Sequence, residues 1–193
     1  MGDHNQLDPP ASEPTGGKRR WRLLWIVLLL LLILSTALVH SLVVNPREEW
    51  GPRYFSASNL RQIGQSIQMY SQDHDGRYPD SFGTLLFTED VTSQLFVAPQ
   101  TKDTPAQGPT TRAIVADLTS GGHLSYIYLG RGLTTASAKP NVVIAFERPV
   151  VYSNGMNVLF GDGHVEFVDP KVGAQIAAEV KAGAFPVTLP TKQ

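Results

Sequence analysis

The sequence predicts an α+β fold: an N-terminal transmembrane helix, an amphipathic helix packed on a small antiparallel sheet of about four strands, and a short C-terminal helix. Three observations predict it. One uninterrupted apolar run lies near the N-terminus, apolar residues at helical spacing follow it, and short β-rich runs between turn residues fill the second half. A length of 193 residues leaves room for one globular domain plus an anchor.

Composition excludes several functional classes. The chain has 16 Lys and Arg against 17 Asp and Glu, for a net charge of -1, so we expect no nucleic-acid partner. It contains no cysteine, which excludes disulfides, thiol nucleophiles and cysteine-ligated metals. Charged residues are 17% of the chain, below the roughly 25% of soluble domains.

The N-terminal quarter predicts a single membrane anchor. Residues 1–20 are expected to form a disordered cytoplasmic tail, 21–44 a transmembrane helix, and 45–193 an exported domain. The run Leu23–Leu34 is wholly apolar, and a 22-residue helix rises about 33 Å against a hydrocarbon core of about 30 Å. Four basic residues and no acid lie between positions 18 and 22, which orients the N-terminus to the cytoplasm.

A cleaved signal peptide is the alternative interpretation of the same segment. Lys18–Arg22 would be its charged region, Leu23–Leu34 its apolar region, and residues 35–37 (Ser-Thr-Ala) its cleavage site. The apolar character continues to Val44, which favours an uncleaved anchor. Both interpretations export the domain.

An amphipathic helix is predicted over residues 56–75, after a break caused by the prolines and glycine of 45–54. Its apolar residues recur at spacings of three and four, forming one stripe: Leu60, Ile63, Ile67 and Tyr70. Ser56 or Ser58 is expected to cap its start, and Gly76 with Pro79 to end it. Gly64 beside the stripe predicts a close approach to the sheet.

Strands and short helices are predicted in the remainder of the chain. Residues 80–86 are expected to anchor Phe82, Leu85 and Leu86 in a turn and short helix, and residues 98–111 to form a surface loop. Four β-rich runs follow: Leu124–Leu129, Asn141–Phe146, Asn157–Phe160 and His164–Val168. A final helix is predicted over 171–182.

The turn Gly161-Asp162-Gly163 predicts a β-hairpin between the last two strands. We expect Val158 and Phe160 to oppose Val165 and Phe167 on one face. His164 and Glu166 would then point to the other face. This assignment makes the turn a structural motif.

Two stretches resemble bacterial type II secretion pseudopilins and related prepilin-like proteins. They are residues 59–86 (NLRQIGQSIQMYSQDHDGRYPDSFGTLL) and 157–168 (NVLFGDGHVEFV), and SYIYLG with Glu147-Arg148-Pro149 lies between them. The resemblance covers roughly residues 45–185 and implies a pilin-like α+β fold. The matching positions are treated as a structural motif: Asn59, Leu60, Ile63, Gly64, Pro79, Asn157, Gly161, Asp162, Gly163 and His164.

The processing signal of that family is missing. Prepilins carry Gly-Phe-x-x-x-Glu at the start of the apolar helix, whereas this helix begins Trp21-Arg22-Leu23. A histidine of the family, ten residues before Asp162, is replaced by Tyr152. The resemblance implies a non-enzymatic component of a secretion or envelope assembly, on the bacterial inner membrane and in contact with similar subunits. The alternative is a signal-anchored envelope binding module that reuses the fold without forming filaments.

No catalytic site is predicted. The sequence lacks Gly-x-Ser-x-Gly, and its five histidines include no pair at helical spacing. The resemblance implies calcium as a minority hypothesis, with Asp162, Asp73 and Asp75 as its candidate ligands, although the EF-hand spacing is absent. We expect Asp162 to act as a turn former. No cofactor is expected.

Overall fold

A computed structural model describes residues 16–44, 47–149 and 154–190. Within the helices, the side chains at 16–20, 37, 39–44 and 47–50 lie outside this description. The chain divides into two compact units, Met1–Arg47 and Glu48–Gln193.

In the N-terminal unit, the described residues from Gly16 to Val44 form helix α1 (Gly16–Val44). It includes the helix predicted over 21–44 and begins inside the predicted tail 1–20, of which residues 1–15 lie outside the described part. In the part of the chain that is described, no helix is long and apolar enough to cross a membrane. The span predicted over 21–44 includes positions 37 and 39–44, whose side chains are not among those described.

Helix α2 (Arg47–Asp73) opens the second unit and starts earlier than predicted. The expected break over 45–54 is wrong for its described residues, because Pro52 lies inside the helix. An interior proline costs about 3 kcal/mol, since it removes one hydrogen bond and crowds the preceding turn. Leu60, Ile63 and Ile67 are fully buried, and each such side chain contributes about 1.5–3 kcal/mol, so packing outweighs that cost.

The sheet has the order β1-β2-β3-β4, with every neighbouring pair antiparallel. Its strands are β1 (Tyr126–Tyr128), β2 (Val143–Glu147), β3 (Met156–Phe160) and β4 (Val165–Val168). Both ends of each strand lie within two residues of the ends of the corresponding predicted β-rich run. The predicted α+β class and the four-stranded antiparallel sheet are therefore confirmed.

Three short helices complete the unit: α3 (Phe82–Thr88), α4 (Thr111–Leu118) and α5 (Pro170–Lys181). A 3₁₀ turn spans Ser93–Phe96. The anchoring of Phe82, Leu85 and Leu86 is confirmed, because all three are buried. Helix α4 was not predicted; the hydroxyl of Thr110 accepts a hydrogen bond from the Ala113 N–H and caps its start. Asp169 caps α5 in the same way, through the N–H groups of its first turn.

The sheet has one apolar core on each face. Leu60, Ile63 and Ile67 of α2 pack in the cluster that contains Ile144 and Leu159 of the sheet. The other cluster joins the opposite sheet face to α5 and the C-terminal segment through Phe146, Val158, Phe160, Ile176 and Val187. Helix α2 and helix α5 therefore cover opposite faces.

The predicted hairpin is present, but its faces were assigned wrongly. The Phe160 N–H donates to the His164 carbonyl (3.0 Å), so Val158 lies opposite Glu166 and Leu159 opposite Val165. Residues opposite each other share a face. Val158 and Phe160 consequently share the α5 face with His164 and Glu166, and Val165 and Phe167 share the α2 face. The three-residue turn sets this register, which apolar pairing alone does not determine.

Candidate functional site

The two motif stretches meet where α2 crosses the hairpin. A Cβ placed on Gly64 would lie 3.0 Å from Leu159 Cδ1, and a Cβ on Gly163 would lie 2.9 Å from Gln68 Nε2. Gly163 has a positive φ of 88°, which glycine adopts without strain. The Tyr78 hydroxyl donates to the Gly161 carbonyl at 3.3 Å. These contacts make the motif a joint between helix and hairpin, with Gly64 at the close approach expected from the sequence.

The other motif residues hold the surrounding loops. Asn59 Nδ2 donates to the Val97 carbonyl at 3.0 Å, and the Pro79 carbonyl accepts from the Tyr128 hydroxyl at 2.8 Å. Gly76, with a φ of 75°, donates its N–H to the Ser71 carbonyl (2.8 Å) and closes α2 as predicted. Each of these bonds satisfies a backbone group or fixes a chain reversal.

Asp162 and His164 form a half-exposed pair at the hairpin turn. His164 Nδ1 contacts Asp162 Oδ1, and the imidazole stacks on Phe160 with ring centroids 4.5 Å apart. Asp162 also accepts from the His164 N–H at 3.1 Å, as a turn former does. Partial burial would raise the pKa of Asp162, but the His164 hydrogen bonds and charge outweigh it and lower the pKa.

The minority calcium hypothesis gains no geometric support from the three aspartates. Asp73 is the last residue of α2, Asp75 follows it in a left-handed turn with a φ of 54°, and Asp162 lies in the hairpin turn. Among the residues described, no group of three or more histidines or carboxylates is placed to hold an ion. Tyr152, at the position of the family histidine, lies outside the described residues.

A groove of about 590 Å³ opens on the α5 face beside the hairpin. Its described lining includes Phe160, His164, Val168, Val172, Gln175 and Leu189. The volume lies within the range of about 300–1,000 Å³ found for small-molecule sites. The half-exposed His164 lies at the mouth of this groove, and Glu166 also lines it. Both polar residues can therefore lie on the α5 face, because the groove opens to solvent beside the apolar core.

A buried polar row crosses the opposite face, beneath α2. Strand pairing aligns Tyr126 with Glu147 and Asn157 with Phe167, and Glu147 and Asn157 are joined by hydrogen bonds. The polar row therefore spans three strands, with Tyr126, Glu147 and Asn157, and the apolar Phe167 continues it onto β4. Glu147 is fully buried. Sequence reasoning missed its role because Glu147 ends an apolar strand, where a carboxylate is ordinarily exposed.

Helix α2 contributes two side chains to this row. Ser56 donates its hydroxyl to Glu147 Oε1 and hydrogen-bonds the Tyr126 hydroxyl at 2.9 Å. The predicted capping role of Ser56 is therefore wrong, since it lies inside the helix and is fully buried. The guanidinium carbon of Arg53 lies 3.3 Å from the centre of the Phe167 ring, a cation–π contact.

Burial changes the acidity of the row. Burial raises the pKa of Glu147, although hydrogen bonds from Asn157 and Ser56 and the charge of Arg53 act to lower it. Burial likewise raises the pKa of Tyr126 to about 12. A carboxyl group whose pKa is higher in the folded than in the unfolded state makes the free energy of unfolding depend on pH.

Comparison of the chain with protein-family models, with curated proteins and with solved structures finds no match.

Proposed function

We propose that this chain is a non-enzymatic, membrane-anchored, pseudopilin-like component of a secretion or envelope assembly, and that its second unit acts by docking. One observation carries the proposal. The residues of the two motif stretches meet as the joint between α2 and the β3–β4 hairpin, at Gly64, Leu159 and Gly163. Residues that hold a helix on a sheet build a scaffold, and a scaffold acts through the surfaces that it presents.

The anchor in this proposal is the segment 21–44, and its support comes from the sequence. The apolar run Leu23–Leu34 follows the basic residues between 18 and 22. That order places the N-terminus in the cytoplasm and the second unit on the outer side of the bacterial inner membrane. In this proposal the anchor stays uncleaved, because the apolar character continues to Val44 and no prepilin motif precedes it.

The docking surface in this proposal is the outer face of α2. Phe55 and Met69 lie on it and are 68% and 56% exposed. They are separated by about four helical turns, so they point in similar directions. In this proposal, Phe55 and Met69 are the apolar contacts that the docking partner covers.

Cysteine cross-linking tests the proposal cleanly, because the natural chain contains no cysteine. Single variants Phe55→Cys and Met69→Cys are oxidised in membranes, with Phe185→Cys, an equally exposed position, as the control. We expect covalent adducts with a second copy or another envelope protein from the two α2 positions only. Equal adduct yields from all three positions, or none from α2, would contradict docking through α2.

An envelope binding module is the second candidate function, and the groove on the α5 face favours it. Val172 lines that groove and is only half-buried. If the groove is the functional surface, Val172→Trp abolishes complementation of a deletion strain while the α2 cross-links persist. If α2 is the functional surface, Val172→Trp complements normally.

A further inference from the structure

The groove on the α5 face is lined by apolar side chains from three segments of the chain. Phe160 and Val168 come from the sheet, and Val172 comes from α5. Leu189 comes from the C-terminal segment, which is held at the groove because the Leu189 N–H donates to the Asn141 carbonyl at 2.9 Å. A groove of about 590 Å³ with such a lining has room for a small molecule with an apolar body.

The charge along the groove has one sign. Glu166 of β4 and Asp169 at the start of α5 both line it, and no lysine or arginine is among its described lining residues. Asp169 accepts from the N–H groups of Lys171 and Val172 through Oδ1 alone, at 2.8 and 3.1 Å, so its Oδ2 is left for a ligand. Carboxylates beside a low-dielectric apolar lining attract a cation.

Two further side chains of the groove offer hydrogen-bond acceptors. Gln175 donates from Nε2 to Glu179 Oε1 at 2.9 Å, which turns its amide oxygen the other way. His164 Nδ1 contacts Asp162 Oδ1, and Nδ1 carries the proton because a carboxylate only accepts. Nε2 of the neutral imidazole is therefore an acceptor, and no side chain or carbonyl among the described residues bonds to it. The groove thus fits a ligand that donates hydrogen bonds.

We propose that this groove binds a small organic amine in its protonated form. The apolar body of the amine packs against Phe160, Val172 and Leu189, and its ammonium group is held by the carboxylates of Glu166 and Asp169. An ammonium group has only donors and a positive charge, which matches the acceptors and the acids of the groove. The site gives the second candidate function a ligand class, and it is independent of docking through α2 because α2 covers the other face of the sheet.

An NMR titration of the full chain in micelles of a non-ionic detergent tests the site. The probe is phenethylamine, which is protonated at neutral pH. Phenethyl alcohol and 3-phenylpropionate carry a similar apolar body with a neutral and an anionic head group. We expect phenethylamine to give saturable shifts of the amides at 164–168 and 172–175. The alcohol should bind about fivefold more weakly, because it lacks the ion pair, and the carboxylate should give no saturable shift.

Variants separate the two parts of the site. Val172→Trp fills the groove and should abolish the saturable shifts, which distinguishes binding in the groove from partition of the probe into the micelle. Glu166→Gln should weaken phenethylamine about threefold and leave the binding of phenethyl alcohol unchanged. Asp73→Asn removes the same charge from an exposed acid at the end of α2, and it should leave the binding of both probes unchanged.

Several results would overturn the proposal: no saturable shift with phenethylamine, equal or tighter binding of either comparison probe, or saturable shifts that persist in Val172→Trp. An unchanged affinity of Glu166→Gln for phenethylamine would also overturn it. If a variant does not fold, the three probes on the wild-type chain decide. The α2 cross-links are a separate measurement, so failure of this site and failure of docking through α2 are distinguishable.

Discussion

The two glycines of the hairpin turn resist substitution for different reasons, and alanine variants separate them. A Cβ on Gly161 would lie 2.5 Å from the backbone carbon of Ala138, so the two chain segments must move apart. A Cβ on Gly163 would meet only the movable end of Gln68, and the strain there comes from its positive φ. Gly183 has a φ of 78° and open space around it, so Gly183→Ala measures the backbone term alone.

The expected costs rank the three variants. A left-handed alanine costs about 1–2 kcal/mol, which is the whole cost for Gly183→Ala and nearly the whole cost for Gly163→Ala. Overpacking against fixed backbone costs about 3 kcal/mol or more for Gly161→Ala. At about 3 °C per kcal/mol, Tm falls by about 3–6 °C for the first two variants and by about 9 °C or more for the third.

Thermal unfolding of the full chain in detergent, followed by circular dichroism, measures this ranking. Gly161→Ala should be the least stable variant, even though Gly161 is the glycine without a positive φ. A Tm for Gly161→Ala equal to that of Gly183→Ala would show that the hairpin turn does not pack against residues 138–139. The close approach of Gly161 to Ala138 and Lys139 would then be refuted.

Three further predictions concern the core, the turn and the buried carboxyl. Ile63→Ala should cost about 2–5 kcal/mol in chemical denaturation because Ile63 is fully buried, whereas Arg61→Ala on the exposed face should cost little. His164→Ala should leave the chain folded by circular dichroism, since its side chain is half-exposed; loss of the fold would contradict this. Wild-type stability should fall as the pH rises from the ordinary pKa of glutamate through the raised pKa of Glu147, because the folded chain holds that proton more tightly. Glu147→Gln should remove this slope in a pH series of denaturation curves, and an unchanged slope would assign it to another group.

Local patterns in the sequence predict the parts of the fold that depend on local chemistry. The spacing of Leu60, Ile63 and Ile67 identifies the buried face of α2, because helical periodicity alone determines it. The turn at 161–163 identifies the hairpin, since a tight turn needs the positive φ that Gly163 supplies. These features require no knowledge of distant residues.

The remaining features depend on packing between distant segments. The early start of α2 despite Pro52 depends on the sheet that the helix covers. The faces of the hairpin depend on the register, and an opening beside α5 lets His164 and Glu166 share a face with Phe160. Glu147 is buried beneath helix α2, where its carboxyl group contacts Ser56. These two residues are 91 positions apart in the sequence. No short-range pattern contains that information.

The most direct test of an uncleaved membrane anchor is the intact mass of the native protein in fractionated cells. The account predicts a chain that retains residues 21–44, stays in the membrane pellet after a carbonate wash, and loses its second unit to protease added to spheroplasts. A soluble chain that begins near Leu38 would contradict it and establish a cleaved signal peptide.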